Sequence, residues 1–154
     1  MTRIDHEGPS LAPFEREAAK LGLQCHSGQG IGNSIPLTRQ VRVQFGDLRV
    51  DAGDHWVIVE VESSGGVTNL AKYWYLIDNQ WEQVEKPIRL FHVFRVGSPN
   101  DYLSHLLTWD HLAEYMAGSV GDRFVASRHT YSSNEELASI VSLFTAELSE
   151  KGIA

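Results

Sequence analysis

The chain has 154 residues with 42% hydrophobic and 10% aromatic content, enough apolar material for one globular domain with its own core. A formal net charge of −7 argues against nonspecific binding of nucleic acid through a strongly basic surface. A single cysteine excludes an internal disulfide and a cysteine-rich zinc site, and no apolar run is long enough to cross a membrane. Because the first residues also lack the apolar core of a signal peptide, we expect one cytoplasmic domain over residues 1–154.

The first predicted element is a helix over residues 11–23, with Ser10 as its N-cap and Gly22 near its end. A glycine-rich loop follows over residues 26–38, without the Gly-Lys-Ser/Thr ending of a phosphate-binding loop. The alternating pattern of residues 39–45 then predicts the first strand.

A hairpin is predicted next, with a β-branched strand over residues 55–62. Side chains alternate between the two faces of a strand, so its valines share one face and its two glutamates the other. A two-residue turn at Ala52-Gly53 would pair Asp51 with Asp54 and Asp47 with Ile58, which places Asp47 on the glutamate face. A three-residue turn would place Asp47 on the opposite face.

The later elements alternate between helices and strands. We expect a helix over residues 66–78, a loop over 79–87, a strand over 88–96, a helix over 98–118, a strand over 123–131, and a helix after a capping box at 133–136. His92 on the central strand is expected to be a hydrogen-bonded core residue. The crossover around the first of these helices predicts a mixed α/β sheet with helices packed on both faces.

Glu60 and Glu62 are unusual on a strand that is otherwise apolar. Buried carboxylates must be paired, protonated or bound to a cation, so the pattern favours a cation site. In the predicted register Asp47 lies diagonal to Glu60 at roughly 7 Å, within reach of a shared ion. Asp51 is separated from that position by about 20 Å of strand and is assigned to the turn. The alternative is a solvated strand that carries glutamates for solubility alone.

Gly46-Asp47, a spacer of twelve residues and Glu60-Val61-Glu62 resemble the motif of the PD-(D/E)XK nuclease superfamily. That superfamily includes many restriction enzymes and junction resolvases. The likeness extends over residues 12–131 by order of elements. The chain departs from the motif at Gly46, where the family has proline, and at Glu62, where it usually has lysine. Lys72, on the following helix, resembles a migrated form of that lysine.

The resemblance implies a restriction-endonuclease-like fold and a metal-dependent active site. Asp47, Glu60 and the Val61 carbonyl would hold Mg²⁺, with Mn²⁺ as an alternative ion. Glu62 would orient the attacking water or hold a second ion, and Lys72 would stabilise charge on the phosphate. The predicted activity is hydrolysis of phosphodiester bonds in DNA by a restriction-like or resolvase-like endonuclease.

Three further residues are predicted to assist the site. The opening helix of the resembled family often contributes another acid, and Glu17 is our candidate, with a solvated helix face as the structural alternative. Arg39 and Arg42 lie close to the site in sequence and would contact a substrate phosphate, with ordinary surface charge as their alternative.

The acidic net charge favours a homodimer, which would double the basic contacts and present one site to each DNA strand. Aromatic residues are enriched at interfaces and provide the candidate surfaces, which are Tyr73, Tyr75, Trp81, Trp109 and Tyr115. Two alternatives to an enzyme remain open from the sequence. One is a non-catalytic, acidic protein-binding module, and the other is a subunit whose nucleic-acid affinity comes from a partner.

Overall fold

The computed structural model describes residues 7–28, 31–98 and 103–152, in which a five-stranded sheet carries helices on each face. The helices are α1 (Glu7–Lys20), α2 (Val67–Asn79), α3 (Trp81–Val84), α4 (Ser104–Val120) and α5 (Asn134–Gly152). The strands are β1 (Cys25–Ser27), β2 (Ser34–Pro36), β3 (Arg42–Gln44), β4 (Leu48–Asp51), β5 (Trp56–Glu62), β6 (Ile88–Arg95) and β7 (Phe124–Tyr131). Short 3₁₀ turns cover Ile31–Asn33 and Gly121–Arg123.

The sheet has the strand order β1-β4-β5-β6-β7. The pairs β1–β4 and β4–β5 are antiparallel, whereas β5–β6 and β6–β7 are parallel. Parallel neighbours need a crossover connection, and the segment with α2 and α3 provides the first while α4 lies in the second. The predicted parallel crossover and the mixed sheet are therefore confirmed.

Two apolar cores lie on opposite faces of this sheet because β5 alternates its side chains. Val57, Val59 and Val61 face one core with α1 and α5. Ile58 faces the other core, to which α2 and α4 contribute. Helices thus cover both faces, as the sequence predicted, and β5 is buried on each side from Trp56 to Val61.

The amino-terminal part differs from the prediction in three places. Helix α1 already begins at Glu7, so Ser10 lies inside it and does not cap it. Residues Cys25–Ser27, expected at a helix end and in a loop, form the edge strand β1 beside β4. The strand expected over residues 39–45 shortens to β3 and pairs with β2 in a separate ribbon. Local pattern identifies extended segments, but it does not determine which of them pair.

The hairpin register also differs from the prediction, by two residues. Ala52 N donates to the His55 carbonyl at 3.1 Å, and Gly53 has φ +96°, so Gly53-Asp54 is the central pair of the turn. Asp51 consequently pairs with Trp56. A shift of two residues keeps every side chain on its original face, and Asp47 therefore remains on the face of Glu60.

The later elements follow the prediction with small changes in their boundaries. Residues 81–84, expected as loop, form the short helix α3, and α4 begins at Ser104. Residues 99–101 of the predicted helix start lie outside the described ranges. Half of the predicted capping box is confirmed, since Ser133 Oγ accepts from Glu136 N at 3.2 Å; the Glu136 carboxylate accepts from Ser132 N at 3.0 Å, one residue before the N-cap. In the described ranges no helix is long and apolar enough to span a bilayer.

Candidate active site

A polar pocket of about 220 Å³ lies where β4 begins and β5 ends, on the face covered by α2. Its lining consists of Gln44, Asp47, Glu60, Val61, Glu62, Asn69 and Lys72. Five of these are the residues that the sequence predicted as metal ligands and catalytic groups. They come from three separate elements, so the sheet and its crossover helix together bring them to one place.

Asp47 is positioned by an irregular start of β4. Its amide donates to the Val59 carbonyl at 3.0 Å, and its carboxylate oxygen Oδ2 accepts from the Val61 amide at 2.8 Å. Asp47 therefore lies against the β5 backbone at Val59 and Val61 and shares the pocket with Glu60. Val61 lies beyond the last β4–β5 pair, Leu48↔Val59, so its carbonyl is not used by that ladder.

Glu60 is buried, with 2% of its surface exposed. Its Oε2 accepts a hydrogen bond from Tyr73 at 2.8 Å and lies 2.7 Å from Lys72 Nζ. Its other oxygen, Oε1, accepts no hydrogen bond from any described residue. One side of this carboxylate is thus anchored by α2, and the other remains available to a ligand in the pocket.

Glu62 is held by two donors from different elements. Asn69 on α2 donates its amide to Glu62 Oε1, and His92 Nε2 lies 3.4 Å from the same oxygen. Lys72 Nζ in turn donates to Asn69 Oδ1 at 3.4 Å. Lys72 therefore links the two glutamates, directly to Glu60 and through Asn69 to Glu62.

The Tyr73 hydroxyl, beside the site, has a pKa that its surroundings shift strongly. Complete burial raises the pKa of its hydroxyl well above the ordinary value, and the neighbouring Glu60 carboxylate raises it further. The phenol consequently stays protonated at neutral pH and remains a donor to Glu60. Its ring stacks on Phe124 at 5.4 Å, which fixes the hydroxyl in place.

Sequence reasoning missed Asn69 and Tyr73, and it assigned His92 only to the core. Asn69 lies three residues before Lys72, and residues three apart are neighbours on the surface of a helix, so the sequence offered a signal for Asn69. Tyr73 directly follows Lys72, and helical spacing gave no such signal for it. The parallel register pairs Glu60 with His92 and so places both on the same face of the sheet. That register depends on how β5 and β6 align in the folded chain.

The structure does not bring Glu17 to the pocket. Phe14 and Ala18 bury α1 against the valine face of β5, opposite the glutamates. Glu17 is paired with Lys20 at 3.0 Å. The predicted contribution of an acid from the opening helix is therefore not seen in this geometry.

Arg39 and Arg42 are exposed and do not line the pocket. Arg42 donates to Ser34 Oγ at 2.8 Å across the β2–β3 ribbon, whose last residue, Gln44, does line it. Arg42 thus belongs to the ribbon and Arg39 to the segment that connects its two strands, and their contact with a phosphate stays a prediction.

Asp51 has the role predicted for it in the turn. Its carboxylate accepts from Gly53 N at 2.9 Å and from Lys86 at 2.7 Å. Burial alone would raise the pKa of Asp51, but the hydrogen bonds from Lys86 and Gly53 outweigh it and lower the pKa below its usual range. Asp51 provides a control position at the end of β4, away from the pocket.

Comparisons of the chain with protein-family models, with curated proteins and with solved structures gave no match.

The chemistry of the pocket fits a hard divalent cation. Carboxylate and carbonyl oxygens are the ligands that Mg²⁺ prefers, and Mg²⁺ is often held by only one or two carboxylates, with water completing its shell. No group of three or more His, Cys, Asp or Glu side chains in the described ranges is arranged to hold a metal ion. Asp47, Glu60 and the Val61 carbonyl are the groups of the pocket that could hold such an ion with water.

Proposed function

We propose that this protein is a metal-dependent endonuclease that hydrolyses phosphodiester bonds of DNA. The observation that carries the proposal is the convergence of Asp47, Glu60, Val61, Glu62 and Lys72 on one polar pocket. These residues come from elements whose order also resembles the PD-(D/E)XK nuclease superfamily. A restriction-endonuclease-like fold belongs to the same proposal.

The chain's residues have distinct roles in this mechanism. Asp47, Glu60 and the Val61 carbonyl would hold Mg²⁺ or Mn²⁺, and the ion would supply Lewis-acid chemistry to the scissile phosphate and to an attacking water. Glu62, fixed by Asn69, accepts a hydrogen bond from that water and orients it. The Lys72 ammonium lines the pocket and stabilises negative charge that develops on the phosphate.

One observation favours the non-catalytic alternative. Glu60 already has Lys72 and Tyr73 as partners, so its burial is explained without a bound ion. A protein in which this ion pair serves only stability would be the acidic binding module or partner-dependent subunit. The two functions differ in whether the pocket binds a cation and whether DNA is cleaved.

Cleavage is tested directly with purified protein and duplex, branched and single-stranded DNA in Mg²⁺ or Mn²⁺. We expect at least one DNA form to be nicked or cut, and we expect EDTA to stop the reaction. RNA of the same sequence tests the preference for DNA. Intact substrates under all these conditions would favour the binding module.

We expect a divalent cation to stabilise the folded chain, because a ligand that binds only the folded state shifts unfolding by mass action. An ion at ten times its Kd raises the free energy of unfolding by about 1.4 kcal/mol. For a chain of this size the midpoint of thermal unfolding should rise by about 3–5 °C. Thermal melts in EDTA and in millimolar Mg²⁺, Mn²⁺ or Ca²⁺ measure the shift.

Two variants control this measurement. Glu60→Gln should remove the shift, whereas Asp51→Asn should retain it because Asp51 lies away from the pocket. An equal shift in both variants would place the bound ion elsewhere on the surface.

We also propose that the catalytically active form is a homodimer, since a dimer provides one active site for each strand of a duplex. Two of the predicted interface aromatics are wrong, because Tyr73 and Trp109 are buried within the core. Tyr75 is 48% exposed and Tyr115 is 64% exposed, so these two remain candidates, and Trp81 is partly buried against the core.

Sedimentation velocity at micromolar concentration, with and without Mg²⁺ and DNA, should show a dimer. Tyr115→Ser, which removes an exposed aromatic side chain without touching the core, should weaken it if α4 forms the interface. A monomer in every condition would contradict the dimer and direct the expected activity toward single-strand nicking.

A further inference from the structure

His92 occupies the centre of β6 and is completely buried. Its Nδ1 lies 2.8 Å from Trp109 Nε1 on α4, and its Nε2 lies 3.4 Å from Glu62 Oε1 on β5. Its ring stacks on Phe94 with the centroids 4.6 Å apart. The imidazole therefore bridges the core and the candidate active site, and bulk water does not compete for either nitrogen.

The partner at Nδ1 determines where the imidazole proton is placed. An indole N–H only donates, so the Trp109 bond requires a lone pair on His92 Nδ1. In a neutral imidazole the proton is then on Nε2. The Nε2–H group faces a carboxylate oxygen of Glu62, which accepts it.

We propose that His92, fixed in this tautomer by Trp109, is a positioning residue for Glu62. Asn69 on α2 and His92 on β6 both contact Oε1 of Glu62, and Glu62 lines the pocket. Donors behind a metal-site carboxylate set its orientation in the same manner. The role assigned to Glu62 rests on the proposed function, whereas the hydrogen bonds belong to the metal-free protein.

The hydrogen bonds are tested by NMR of the ¹⁵N-labelled chain without metal. We expect a scalar coupling between Trp109 Nε1 and His92 Nδ1 across the bond, together with a proton on His92 Nε2. In Trp109→Phe, which keeps an aromatic ring but removes the donor, the proton should also populate Nδ1. A proton on Nδ1 in the unmodified protein would overturn the proposal.

Two substitutions at His92 separate its contact with Glu62 from its contact with Trp109. Glutamine places an amide N–H near the former Nε2, so it keeps a donor to Glu62 and loses the acceptor for Trp109. Asparagine places an amide oxygen near the former Nδ1, so it keeps the acceptor and loses the donor. His92→Gln leaves the buried Trp109 donor without its acceptor, whereas in His92→Asn the Glu62 oxygen keeps its bond from Asn69, so thermal melts of both variants accompany the comparison.

Binding of Mn²⁺ alone, followed by calorimetry, is the second measurement. His92→Asn should weaken Mn²⁺ binding by about 10–100-fold, and His92→Gln should restore most of it. Equal weakening in both variants would show that His92 acts only through packing and would overturn the positioning role.

Failure of the proposed endonuclease function can be distinguished from failure of the positioning role of His92. If the unmodified protein binds no Mn²⁺ and cleaves no DNA, the endonuclease is refuted, and Glu62 has no ligand for His92 to orient. The Trp109–His92 coupling and the Nε2–H proton would then still decide whether the hydrogen-bonded chain exists. If His92→Asn does not fold, Mn²⁺ binding by Trp109→Phe decides, with a loss supporting the proposal and an unchanged affinity contradicting it.

Discussion

Asp47→Asn and Glu60→Gln are each expected to lower the rate of DNA cleavage by about 100-fold or more, since loss of one metal ligand removes several kcal/mol of transition-state stabilisation. Both substitutions keep the size of the side chain and remove the negative charge that a divalent cation requires. Cleavage rates in saturating Mg²⁺ and Mn²⁺ measure the effect. Circular dichroism and thermal melts of each variant establish that it is folded.

Asp51→Asn is the matched control for this pair. Asp51 ends the strand that begins directly after Asp47, but it bonds to Lys86 and Gly53 at the turn. We expect its substitution to leave the cleavage rate nearly unchanged. Loss of cleavage in Asp51→Asn with retention in Asp47→Asn would show that the wrong aspartate has been assigned to the site.

Gly46→Ala is expected to destabilise the fold by roughly 2–5 kcal/mol, from backbone strain and overpacking together. Gly46 has φ +74°, and an added Cβ would lie 2.3 Å from Ile58 Cγ2 and 3.2 Å from the Val59 carbonyl. The same geometry explains why proline is absent here, since proline fixes φ near −65°. The midpoint of thermal unfolding should fall by roughly 5–15 °C.

Gly22→Ala separates strain from close contact. Gly22 has φ +71°, almost the same as Gly46, but apart from its chain neighbours no atom of the described residues lies within 4 Å of its added Cβ. Gly22→Ala should therefore incur only the cost of backbone strain, roughly 1–2 kcal/mol. Equal destabilisation by the two substitutions would mean that the approach of Ile58 to Gly46 does not matter.

The Gly46 substitution should also affect the candidate site. Asp47 directly follows Gly46, and its amide and carboxylate are hydrogen-bonded to the backbone of Val59 and Val61. A displaced backbone at Gly46 would move the carboxylate relative to Glu60. We expect any folded fraction of Gly46→Ala to bind Mn²⁺ more weakly than the unmodified protein.

The sequence alone determined which residues share a face of β5. Side chains alternate strictly along a strand, so Glu60 and Glu62 had to face away from Val59 and Val61. The register prediction was wrong by two residues, yet Asp47 stayed with the glutamates because an even shift preserves the face. The capping box at Ser133 and Glu136 was likewise predictable, since its hydrogen bonds join residues three or four apart.

The buried face of α2 was predicted only in part. Leu70, Tyr73, Leu76 and Ile77 are fully buried on it, whereas Val67 and Trp74 are only partly buried against the same core. Helical periodicity allows several rotations of a helix that is apolar on more than one side. The position of α4 against α2 selects one of them, and this selection turns Tyr73 toward Glu60.

Only the tertiary structure decided the surroundings of the candidate site. His92 lies 30 residues from Glu62 and 17 from Trp109 along the chain, and their contact depends on the parallel register of β5 with β6 and on the packing of α4. Glu17 does not reach the candidate site for the same reason, because α1 packs on the valine face of β5. Alternation within a strand and hydrogen bonds within a helical turn involve residues close together in the chain, so they can be predicted from the sequence. Partners distant along the chain are determined by the packing of the whole fold, which the local pattern of the sequence does not reveal.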